Sequence, residues 1–196
     1  MTASSDPAGA PALTRRDRPA IVFGLLGLVS GVLSAFIGYG LEVDWLQPIA
    51  SLFFLKSGVL PVGVFFAAAI GVAVWLVSQR LPMAILALLA TLYAWSGALH
   101  IAIRLQRNLG DDPHLVAGSL LAGAFGAGFT HLGVSAGLPA LRSLRSVLLT
   151  SAVGAAMGML FYLGERKYVD PRALFLLWQP AVAFIIGLAA GRPKRA

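Results

Sequence analysis

The chain has 196 residues, 58% apolar and 12% charged, with a net charge of +7 and no cysteine. Soluble domains carry about 25% charged residues, and the mean hydropathy here is +0.83, so the composition argues for one polytopic helical membrane domain instead of a soluble enzyme. Its continuous apolar runs do not alternate as barrel strands do, and the lack of cysteine excludes disulfides, thiolate metal sites and thiol nucleophiles.

Residues 1–19 (MTASSDPAGAPALTRRDRP) are polar, small and rich in proline, which predicts a disordered tail. Arg15-Arg16 is followed by Asp17-Arg18-Pro19, a poor twin-arginine context. The next apolar run is unbroken and has no A-x-A site, so a retained span is expected instead of a cleaved signal peptide.

The first span is expected at residues 20–40, with Gly27, Gly31 and Ala35 forming a small-residue stripe. Such stripes let helix backbones approach closely in lipid, and the glycine-rich fourth span is the expected partner. A short acidic loop follows, with Trp45 as an interfacial anchor. Residues 48–78 would make a helix of about 46 Å, too long for a simple crossing. Lys56 and the breaker-like SGVLPVG divide them into a short interfacial or re-entrant helix at 48–56 and a second span at 58–77. One long tilted helix is the alternative.

The third span is expected at 83–103, after a tight turn containing Arg80. On it His100 lines up with Ser96 and Arg104 at helical spacing, and Tyr93 and Arg107 extend that face. This polar stripe reads as an interfacial helix end or as the wall of a vestibule. The fourth span, 116–139, holds six glycines and no charge. Gly126, Gly133 and Gly137 lie at spacings that suit close helix packing, and the span reads as the centre of the bundle. The fifth, 147–164, contains the pair Gly154 and Gly158, and the sixth occupies 173–190 before a basic tail at 191–196. The two halves, three spans each, read as candidates for an inverted repeat, although they do not align well.

Six spans put both termini on one side. That side carries Arg15, Arg16, Arg18, Arg80, Arg142, Arg145, Arg192, Lys194 and Arg195, against Lys56, Arg104, Arg107, Arg166, Lys167 and Arg172 on the other. The excess predicts cytoplasmic termini in a cell inner membrane. The arginine-rich basic set suggests a bacterial source of high GC content. Basic residues at span ends orient helices, so no nucleic-acid partner is expected.

All eight carboxylates fall in tails or loops, which argues against proton-coupled carriers and intramembrane aspartyl proteases. His131 lies well inside the fourth span, beside Thr130 and one turn before Ser135. An ionisable group there must find a partner or a water-filled cavity. Gln179-Pro180 lies inside the sixth span, where proline removes a donor and predicts a kink. His131, Gln179, His100, Ser135 and Lys56 are therefore the candidate ligand or pore residues; structural hydrogen bonding is the competing role for each. Gly133-Val134-Ser135-Ala136-Gly137 matches the nucleophile-elbow pattern, but a membrane helix is the wrong context and no acid is near. Asp111-Asp112-Pro113-His114 reads as a solvated cap, not a metal site. No catalytic residue, metal or cofactor is expected.

The functional expectation is an integral membrane protein that binds or passes a small solute or ion. The alternative is a non-catalytic accessory subunit, a homo-oligomer or part of a larger membrane complex, packing through its glycine-rich faces.

Overall fold

The computed structural model describes residues 17–41, 44–109 and 112–192. The tail expected at 1–19 lies largely outside the described residues, as do the last four positions. Every regular element among the described residues is helical: α1 (Asp17–Leu33), α2 (Gln47–Leu52), α3 (Leu60–Ser78), α4 (Leu81–Leu109), α5 (Asp112–Gly137), α6 (Leu144–Glu165) and α7 (Ala173–Ala190). All except α2 are long and apolar enough to cross a membrane.

Local chemistry explains the boundaries. The last turn of α1 widens into a π-helical turn over Ser34–Gly38, closed by the Tyr39 amide donating to the Ser34 carbonyl at 2.7 Å. Residues 48–78 are two helices, as the breaker sequence predicts: α2 ends at Leu52, Phe54 has a left-handed φ of 55°, and Pro61 sits in the first turn of α3. Gln79 caps α3 in the left-handed conformation, so the turn into α4 is tight. Ser143 caps α6 by accepting from the Ser146 amide. Helix α7 continues through Pro180.

The six long helices form a closed ring. Each packs against the next in chain order, and α1 closes on α7. This differs from the expectation that α1 packs on a central α5. Helix α5 is one member of the ring, flanked by α4 and α6, while the small stripe of α1 meets α7. A Cβ at Gly27 would lie 2.7 Å from the Ala183 Cβ, and one at Gly31 only 2.6 Å from the Phe175 carbonyl oxygen. From the other side, Gly187 of α7 lies against the backbone of Pro19 and Ala20.

The ring order also rules out an inverted repeat. A two-fold axis in the membrane plane would reverse the sense of travel between the first three helices and the last three. Here the chain keeps one sense all the way round.

Glycine lets α5 pack closely on both flanks. Gly154 and Gly158 of α6 abut Gly123 and Ser119 of α5 so closely that a Cβ on Gly154 would lie 2.5 Å from the Gly123 carbonyl oxygen. Gly133 and Gly137 meet Ala90 and Met83 of α4, and Gly126 meets Ala98 and the Trp178 indole. The outward faces are apolar instead: Leu25, Leu28, Val32, Ile85, Leu121, Phe129, Leu148 and Phe184 are all exposed.

A packed cluster fills the ring at one end, and two smaller ones, around Leu60 and around Val62 and Phe175, lie toward the other. Around the chain termini, Phe23, Phe66, Ile70, Val74, Val134, Leu141, Val182 and Ile186 make a continuous core. Toward that other end the helices also enclose a cavity.

Candidate functional site

This cavity has a volume of about 750 Å³, within the size range of sites for drug-sized ligands. Helices α3, α4, α5, α6 and α7 line it, together with Tyr39 and Gly40 just beyond the π-helical end of α1. Val62, Trp95, Leu99, Ala122, Gly123 and Gly158 form the wall. Phe175 and Trp178 of α7 reach the floor, and Tyr39, Gln47, Lys56 and Glu165 stand around the mouth.

Trp178 is the floor. Its indole N–H donates to the Gly154 carbonyl of α6 at 3.2 Å, its ring lies over Gly126 of α5, and Phe66 of α3 meets it edge-on at 5.3 Å. One side chain thereby spans the ring and divides the cavity from the packed core. The wall above is aromatic: Phe175 lies between Tyr39 at 5.6 Å and Trp95 at 6.2 Å.

The connection from α2 to α3 places Lys56 at the mouth, and α4 holds that connection. The Ser96 hydroxyl donates to the Phe53 carbonyl, Tyr93 packs on the Phe53 ring at 5.0 Å, and the Trp95 N–H donates to the Val59 carbonyl at 3.2 Å. The polar stripe of α4 is thus the seat of this connection. His100 belongs to it, its Nδ1–H donating to the Ser96 carbonyl at 2.9 Å.

The remaining candidates lie elsewhere. Gln179 is buried between α7 and α1, where its Nε2 donates to Ser34 Oγ at 3.0 Å and its Oε1 accepts from Ser30 Oγ at 2.8 Å. His131 is buried at the terminal end of α5. Its Nε2 lies 3.1 Å from the Leu141 carbonyl and its Nδ1 2.8 Å from Thr150 Oγ1, whose own proton goes to the Ser146 carbonyl at 2.9 Å. Ser146 Oγ lies 3.2 Å from Nε2. Ser135 is exposed and donates to the Leu132 carbonyl of its own helix. Of the five ligand or pore candidates, only Lys56 lines the cavity. Asp112 pairs with Arg166 across the mouth end, while Asp111 lies outside the described residues.

Sequence reasoning missed Trp95, Phe175 and Trp178 as wall and floor. Trp178 sits directly before Gln179-Pro180, but an aromatic residue in an apolar span gives no sign of facing inward. Thr130, next to His131, is buried and has no hydrogen-bond partner among the described residues. Compared with protein-family models, curated proteins and solved structures, the chain matches none of them.

Proposed function

We propose that this is a multi-pass membrane protein of a bacterial inner membrane that binds a small solute within its helix ring, as a carrier does. The cavity carries this reading: it is large, open at one end and closed at the other by Trp178 and the core beneath it. The apolar outward faces suit a lipid surround, and the excess of basic residues on the terminal side supports cytoplasmic termini with the mouth outside. The reading is non-catalytic. The accessory alternative rests on glycine faces, and Gly27, Gly31, Gly126, Gly133, Gly137, Gly154 and Gly158 all meet other helices of this same chain.

The test uses the absence of native cysteine. Leu99→Cys places a single thiol on the cavity wall, and Val134→Cys places one in the core below. In sealed vesicles, an impermeant maleimide should label Leu99→Cys from the side opposite the termini and Val134→Cys from neither side. A Leu99→Cys protein that folds but resists labelling from both sides would overturn the open cavity.

A further inference from the structure

Resting on the solute-binding reading, we infer that the cavity takes an anionic amphiphile, with its apolar body against the aromatic wall and its charged end at Lys56. The first support is what the interior withholds. The side-chain donors deep in the cavity are spent within the protein: Trp95 N–H on the Val59 carbonyl, Trp178 N–H on the Gly154 carbonyl, and the Ser119 hydroxyl on the Leu115 carbonyl at 2.8 Å, which leaves the Tyr39 hydroxyl at the mouth. A sugar or inorganic ion entering this space would lose hydration and gain no donor in return, which is strongly unfavourable. An apolar body loses nothing of that kind and gains contact with Phe175 and its neighbours.

The second support is the placement of charge. Among the described residues the interior is lined by no charged side chain; Lys56 and Glu165 both stand at the mouth. Glu165 is already engaged. Lys56 is exposed and makes no ion pair among the described residues, and the connection that carries it is pinned to α4 on both sides, at Phe53 and Val59. The charge available to a ligand at this opening is therefore positive. The volume admits either a fused-ring body or a folded acyl chain, and both share the same chemistry.

The experiment measures protection of Leu99→Cys from maleimide in lipid nanodiscs. Leu89→Cys, on the outward face of α4, reports any general partitioning of the probe into lipid. Naphthalene-2-sulfonate or dodecanoate, at ten times its dissociation constant, should slow labelling of Leu99→Cys about tenfold while leaving Leu89→Cys unchanged. Which of the two protects distinguishes a ring-bearing body from an acyl chain. Sucrose and inorganic phosphate should give no protection.

Lys56→Gln should weaken the protecting anion about two- to fivefold, the effect of a solvent-exposed charge pair, and leave neutral 2-naphthol unaffected. Protection by sucrose or phosphate, or by none of the probes, overturns the ligand class while the accessible cavity stands. An unchanged anion affinity in Lys56→Gln overturns the assignment of the charged end. A Leu99→Cys thiol that never reacts overturns the cavity reading itself.

Discussion

His131 is bonded through Nε2 to the Leu141 carbonyl and through Nδ1 to the Thr150 hydroxyl, so one ring ties α5 both to its following turn and to α6. Its removal takes one partner from two buried polar groups, each of which keeps another on Ser146, so the cost falls at the low end of about 1–3 kcal/mol. His131→Ala should therefore lower the thermal stability of the detergent-solubilised protein, while the labelling pattern of Leu99→Cys stays as it was. Lost protection at unchanged stability would instead place His131 in the solute's path. Gln179 invites the same reasoning, because its amide joins α7 to Ser30 and Ser34. Hydrogen bonds between membrane helices average roughly 0.6 kcal/mol in double-mutant cycles. Gln179→Leu should accordingly reduce stability modestly and leave ligand protection intact, as read by melting and labelling on the same sample. The polarity of both residues was legible in the sequence. Their partners were not, since Leu141, Thr150, Ser30 and Ser34 become neighbours only when helices meet.

Among the helices, glycine decides which pairs come close, and the size of each gap gives a graded expectation. A methyl group on Gly31 would press on the backbone carbonyl of Phe175 at 2.6 Å, which side-chain movement cannot relieve. The nearest atoms at Gly126 are the Ala98 Cβ and the Trp178 ring edge, both at 3.3 Å. Gly31→Ala should thus separate α1 from α7 and destabilise by about 1–3 kcal/mol, as overpacking generally does. Gly126→Ala should fall well below that. Fluorescence-detected size exclusion after a heating series ranks the two, and equal melting points would show that α1 and α7 are not held at this distance. The stripe on α1 was readable from spacing, but its partner was not: a small face fits any other small face, and α5 offers several. The break between α2 and α3 was readable because Gly58 and Pro61 act on the chain locally.

Across the whole molecule, the ring supplies the cavity on which the proposed solute site rests. Six helices in chain order enclose more space than their inward side chains fill at the mouth end, and Trp178 marks where filling begins. Replacing that indole tests the division. Trp178→Ala should open the floor towards the core and allow impermeant maleimide to reach Phe66→Cys from the mouth side, which it should not reach beneath the intact indole. A Phe66→Cys thiol equally shielded in both backgrounds would show that the core, not Trp178, forms the barrier.

Hydropathy, charge placement and helix-breaking residues acted along the chain, and so the sequence by itself determined the number of long helices, the position of their connections and the apolar class of the protein. Helix neighbours, ring closure and the cavity were decided only by the tertiary structure. The physical reason lies in the faces of the helices. In a soluble protein an apolar stripe points to the core, but here the outward faces of Leu25, Leu121 and Phe184 are as apolar as the inward faces of Phe66, Phe175 and Trp178. Apolarity therefore could not tell inside from outside, and that distinction arose only when the helices packed.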